Sequence, residues 1–271
     1  MAQIVSICNQ KGGVGKSTTV FHLSRAAVRR GLRVLVIDAD PQGNLSQLLS
    51  RDPLSEEQVS LADVLLSRVP SRPGSPEPIG IAEVIVPGLW EHLDLVPAVG
   101  DTLSYARDQL VITGAGREHK LRESLEEIQA QYDLIFIDCP PSLDQLTLNA
   151  LTASNGVMIV THTRLLSLSG MNQLMQTITN VQRYNNHDLQ ILGVTVNQYE
   201  KELTAARHWM LDLQHAAQER DWPLLSPPIP KRTLVANTTE SGQALDEQGT
   251  AGAELARIYD RHLTALLEGA Q

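Results

Sequence analysis

The chain has 271 residues, 42% of them hydrophobic, enough to bury one sizeable α/β core without forcing a second, so residues 1–271 are read as a single domain. Its net charge of −9 opposes any general attraction to nucleic acid or anionic lipid, and contact with DNA would have to be local. Cys8 and Cys139 each sit in an apolar, strand-like run without disulfide-framework or metal-site spacing, there is no signal-peptide pattern, and no apolar run could cross a bilayer; buried thiols, a cytoplasmic location and no membrane association are expected.

The first predicted strand, Ile4 to Cys8, breaks into Asn9-Gln10-Lys11-Gly12-Gly13-Val14-Gly15-Lys16-Ser17-Thr18 and then a helical pattern. Three glycines in four residues allow consecutive N–H groups to face one anion, and the helix that follows adds the positive end of its dipole. Lys16 would reach the β- and γ-phosphates of a nucleotide and Ser17 would bind Mg²⁺. The usual phosphate loop has glycine where Gln10 stands, and here Lys11 precedes the glycine pair, so this is a deviant Walker A loop. The chain contains five lysines and two of them flank this turn; both are read as phosphate ligands. A glycine turn without a ligand is the competing reading, weakened by the strand before the loop and the helix after it.

The next strand, Val34 to Ile37, ends in Asp38-Ala39-Asp40-Pro41-Gln42-Gly43-Asn44. Pro41 signals that the chain is already turning, so the two carboxylates should differ in role. Asp38 is assigned to the metal shell and Asp40 to the attacking water, against the alternative that both cap the following helix. Four prolines and two glycines between Arg68 and Gly80 predict a surface loop insertion. A strand at Leu93 to Val96 follows, then Leu134 to Ile137 leading into Asp138-Cys139-Pro140-Pro141-Ser142, a Walker B pattern. Asp138 would hold Mg²⁺ through a water, and the two prolines would lead a segment that senses the γ-phosphate. Strands at Val157 to Val160 and Ile191 to Val196 precede a helix over 251–267, whose apolar positions are expected to pack on the core. Strands alternating with helical patterns imply an α/β fold, a mostly parallel twisted sheet flanked by helices on both faces. The three chemically loaded segments all follow strands and should meet at one rim.

On these segments, together with Leu148-Asn149-Ala150-Leu151, the chain resembles the ParA family of partition ATPases, deviant Walker P-loop ATPases, in the short form without an N-terminal helix-turn-helix. The resemblance implies a homodimer that sandwiches two ATP molecules with Mg²⁺, with Lys11 reaching the partner's phosphates, Lys16 its own, and Asp40 activating water. It places Asn197 at the adenine and Pro230 in the segment closing over the base, with Gly12, Gly13, Val14, Gly15, Ser17 and Thr18 in the cradle. It further implies an ATPase that binds DNA without sequence preference, is stimulated by a ParB-like partner, associates with the nucleoid in its ATP state, and drives plasmid or chromosome segregation. By position Arg207, Lys231 and Arg232 match the family's basic contacts. Between Arg183 and Arg232, however, six Lys or Arg are balanced by six Asp or Glu, so folding must segregate them. The sequence departs from the family at Thr161-His162-Thr163-Arg164 and at Tyr199-Glu200-Lys201-Glu202. Alternatives are a relative that positions a protein cargo, such as a carboxysome or chemoreceptor cluster, and a membrane-positioning ATPase like MinD. The latter would need a basic amphipathic C-terminal helix, whereas this one mixes Arg257 and Arg261 with Glu254, Asp260 and Glu268.

Overall fold

Apolar, β-branched runs become seven strands in the computed structural model, which describes residues 2–67, 78–163 and 168–269. They are β1 (Gln3–Cys8), β2 (Val34–Asp38), β3 (Val86–Pro87), β4 (Leu93–Val96), β5 (Leu134–Asp138), β6 (Gly156–His162) and β7 (Gln190–Asn197). The sheet runs β3-β4-β2-β5-β1-β6-β7. Six strands are parallel, and β3 adds an antiparallel edge of two residues. All six predicted strands are present. β3 was not expected: two residues carry no periodicity, and Pro87 is tolerated because the strand is an edge. Most of the expected loop insertion at 68–80, and Arg164, lie outside the described residues.

Side chains that alternate along the central strands feed two separate cores. Ile4, Leu35, Ile37, Ile135, Ile137, Val157 and Ile159 face one layer, built from α3 (Leu61–Leu66), α4 (Thr102–Ile112), α5 (Lys120–Leu125), α6 (Gln145–Ala153), α7 (Leu168–Tyr184) and α8 (Thr204–Glu219). Val5, Ile7, Val34, Val36, Leu134, Phe136 and Met158 face the other, which holds α1 (Lys16–Arg29), α2 (Asn44–Leu49), α9 (Thr233–Glu240) and α10 (Gly249–Glu268). Burial on both faces is why the strands read as unbroken apolar runs.

The predicted C-terminal helix is α10, and it packs as expected. Leu255, Leu263 and Leu266 are buried in the second core. Part of its polar face is taken up within the fold: Arg30, directly after α1, donates to the Asp260 carboxylate at 2.8 Å and to the Thr264 hydroxyl at 2.7 Å. Just before α10, Arg25 makes a two-pronged bond to Asp246, at 3.0 and 2.8 Å. Among the described residues no helix is long and apolar enough to cross a membrane.

Candidate nucleotide site

Because β1, β2, β5 and β7 are parallel, the segments leaving them emerge at the same edge of the sheet. The glycine loop joins β1 to α1. Gly13 and Gly15 take positive φ of 74° and 87°, backbone that an L side chain adopts only under strain. Gly15 is also sterically restricted, since a Cβ there would collide with the Asn197 amide. No side chain caps α1, and no acid lies in its first turn, so its leading N–H groups remain available to an anion. Lys16 is buried, Lys11, Ser17 and Thr18 are partly exposed, and Gly12 and Gly13 form the open lip. Behind the lip, Asn9 holds the loop twice, donating to the Val160 carbonyl at 2.6 Å and accepting from the Lys11 N–H at 2.9 Å.

The two buried aspartates at the strand ends are not equivalent. Asp38 accepts from the Ser46 hydroxyl (2.7 Å), the Ser46 N–H (2.8 Å) and the Asp40 N–H (3.1 Å). Its carboxylate anchors the following turn to α2. Asp138, beside it in register across β2 and β5, has two buried carboxylate oxygens with no hydrogen-bond partner. Burial pushes both carboxyls above the ordinary aspartate range. At Asp138 the charge of Asp38 raises it further, and the nearby Ser17 hydroxyl and then Lys16 oppose that rise, although the Ser17 contact does not reach hydrogen-bond geometry. A buried carboxylate with no donors is costly unless a cation meets it, so the residues fit a hard divalent ion bound by oxygen ligands at Asp138 and Ser17. Asp38, assigned to the metal shell by the sequence, accepts three hydrogen bonds from the protein itself.

Asp40 is partly exposed, in a turn closed by the Gln42 N–H on its carboxylate at 3.0 Å and the Gly43 N–H on its carbonyl at 2.9 Å. The two carboxylates therefore do diverge. On the far side, Asp144 caps α6 by accepting from the Leu146 N–H at 2.9 Å, and the Ser142 hydroxyl donates to Asp144 at 2.8 Å, which stiffens the turn after Pro140-Pro141. Asn149 is buried and bonds the Leu121 N–H and the Arg117 carbonyl, joining α6 to the start of α5.

Asn197, which the resemblance puts at the adenine, also lies against the phosphate loop. Its amide donates to the Val14 carbonyl at 2.9 Å and accepts from the Gln198 N–H at 2.8 Å. Gln198, in left-handed backbone at φ 53°, donates to the Gly13 carbonyl at 3.3 Å. Sequence alone did not mark Ser46 or Gln198, whose roles depend on distant backbone. Pro230 pairs with Tyr199, and the Ile229 N–H bonds the Val196 carbonyl at 2.8 Å, so the 229–231 segment runs beside the end of β7. Of the expected basic contacts, Arg207, Lys231 and Arg232 are all exposed, but Lys231 is paired with Glu200 at 3.0 Å.

Residues 2–191 match the AAA domain family. The chain is 40% identical over 194 residues to the sporulation initiation inhibitor protein Soj of Bacillus subtilis, covering 72% of each chain. It is 39% identical over 243 residues to the chromosome partitioning protein ParA of Caulobacter vibrioides, covering 89% of this chain and 85% of that one. Among solved structures, the cobyrinic acid a,c-diamide synthase of Mycobacterium smegmatis with bound ADP and magnesium superimposes with a TM-score of 0.74 at 34% identity, over 92% of this chain and 96% of that one. The apo McdA structure from Cyanothece superimposes with a TM-score of 0.84 over 98% of this chain and all of that one; at 20% identity this speaks for the fold alone. With relatives of this similarity over most of the chain, and with the deviant glycine loop at the rim of a parallel sheet, the chain belongs to the ParA family of partition ATPases.

Proposed function

We propose that this protein is an ATP- and Mg²⁺-dependent switch which dimerises over ATP, holds DNA without sequence preference in that state, and releases it when a ParB-like partner stimulates hydrolysis. The observation that carries the nucleotide reading is the pair of partnerless Asp138 oxygens on the same strand-end rim as the uncapped α1 terminus and buried Lys16. Lys16 neutralises the phosphates of its own subunit, and the cradle from Gly12 to Thr18 supplies backbone donors. Ser17 and Asp138 hold the metal, which neutralises charge on the phosphates when bound; Asp38 fixes the turn that presents Asp40. Asp40 orients the attacking water. Lys11, beside the exposed glycines, is on the lip where a second subunit would meet it.

The DNA surface is built from Arg207, Lys231 and Arg232. Glu200 holds Lys231, so this surface is weaker than its count of cations suggests. The test is binding to arbitrary duplex DNA with ATP, with ADP and without nucleotide, over a salt series. Binding that requires ATP and falls steeply with salt is expected. Charge reversal at Arg207, or at Lys231 with Arg232, should weaken it on all sequences and flatten the salt slope. Intact ATP turnover with no DNA binding would overturn the DNA part of this reading and favour a relative that positions a protein cargo.

A further inference from the structure

Cys8 and Cys139 are 131 positions apart in sequence, yet their sulfurs lie 2.9 Å apart, with the Cys8 S–H directed at the Cys139 sulfur. The parallel register that pairs Ile7 with Asp138 makes them the next neighbours across β1 and β5, and the Cys139 N–H bonds the Ile7 carbonyl at 3.2 Å. Both are free thiols and both are buried, at 1% and 0% exposure. No step of the hydrolysis assigned above uses either. Their position is nevertheless critical: Cys8 is the last residue before the phosphate loop and Cys139 directly follows Asp138.

We propose that this pair is an oxidation site, at which a small peroxide joins the two sulfurs in a disulfide that draws the roots of the two loops together and weakens nucleotide binding. Burial pushes the Cys139 thiol up and keeps it protonated, so Cys8 is the sulfur that gives up its proton, attacks the peroxide O–O bond, takes up oxygen as a sulfenic acid and releases water. The second sulfur displaces that oxygen as a second water. The two thiol protons end in the two waters, and the two electrons of the thiols reduce the peroxide. Neighbouring strands about 4.8 Å apart lie within the span that a disulfide bridges, and the sulfurs need close by only roughly 0.9 Å to reach bonding distance. The oxidant must be small, because the pair has almost no exposed surface. That closure occurs at the base of a loop whose carbonyls are already held by Asn197 and Gln198, so the cradle cannot absorb it by drifting. Displacements near 1 Å at a positioned site cost on the order of a hundredfold in function.

The bond rests on geometry alone; its effect rests on the nucleotide reading above. The experiment exposes the full-length reduced protein to hydrogen peroxide and, separately, to oxidised glutathione. Free thiols are then trapped under denaturing conditions, and intact mass is read beside the affinity for a fluorescent ATP analogue. Peroxide should remove both thiols together with the loss of two hydrogens, oxidised glutathione should leave both free, and the linked protein should bind the analogue at least tenfold more weakly. Cys8→Ser and Cys139→Ser proteins given the same peroxide should keep their affinity. Two thiols that remain trappable after peroxide, or a linked protein that binds as tightly as the reduced one, would overturn the proposal. A reduced protein that binds no nucleotide overturns the nucleotide reading instead, and the mass alone then decides whether the bond forms.

Discussion

At the scale of single residues, the site turns on how two adjacent carboxylates are supplied with donors. Asp38 has three, whereas Asp138 has no donor in hydrogen-bond geometry, only the Ser17 hydroxyl and Lys16 nearby. Without a cation, burial and the charge of Asp38 disfavour the ionised form of Asp138, and Asp138→Asn, which cannot ionise, should raise the stability of the nucleotide-free protein at pH 7.5 by about 1–3 kcal/mol. The same variant should lose the extra thermal stability that ATP and Mg²⁺ confer. Melting curves with and without the ligands check both signs, and a variant that melts earlier without ligand would mean that Asp138 has a partner in solution. Asp40 should behave oppositely. It is partly exposed and bonds only its own turn, so Asp40→Ala should fold and bind ATP normally while turnover falls by a factor on the order of 10² to 10⁴, as single-turnover rates would show. The types and order of these acids were legible in the sequence, because each follows a buried strand. Which of them is free was not, because Ser46 contacts Asp38 only once α2 has packed.

At the scale of elements, the end of β7 acts as a strap over the phosphate loop. Asn197 holds Val14, Gln198 holds Gly13, and Gly15 leaves room for the Asn197 amide. If the strap's main role is to set the shape of the loop, Asn197→Ala should weaken ATP, ADP and GTP alike, raise KM more than it lowers kcat, and cost about 1–3 kcal/mol through the unbonded Val14 carbonyl. A selective loss of preference for adenine over guanine would instead support the base-reading role that the family resemblance implies. Strand runs were readable because burial on both faces makes them uniformly apolar. The strap and the cysteine pair were not, because both depend on register between strands more than a hundred positions apart in sequence.

At the scale of the whole molecule, the layer containing α1, α9 and α10 is joined by two buried histidines. His22 on α1 bonds the Thr239 hydroxyl of α9 at 3.0 Å and packs against Tyr259 of α10. His262 on α10 bonds the Pro227 carbonyl at 2.9 Å and lies 3.4 Å from the Thr195 hydroxyl of β7. Burial lowers each to about 4, against 6.5 for a free imidazole, and outweighs the backbone bonds at both and the charge of Asp246 near His22. The folded chain thus refuses protons that the unfolded chain accepts. This contribution to stability is present in full above pH 6.5 and is lost as pH falls from there towards 4. At pH 4.5 the loss is about 2–3 kcal/mol for each histidine, and two such losses approach the total stability of an ordinary domain. Over the same range the raised carboxyls of Asp38 and Asp138 act with the opposite sign, because the folded chain holds protons that the unfolded chain gives up, so the histidine loss is read as a difference: between pH 7.5 and 4.5, urea unfolding should show the wild type losing more stability, or gaining less, than the protein carrying His22→Gln with His262→Gln. An identical pH dependence in the double variant would remove the histidines from this account. Because α1 carries the phosphate loop at its N-terminus, the same acid window should loosen the nucleotide site before the opposite layer opens. Hydrogen exchange at pH 5 should accordingly show α1, α9 and α10 losing protection ahead of α5 and α6.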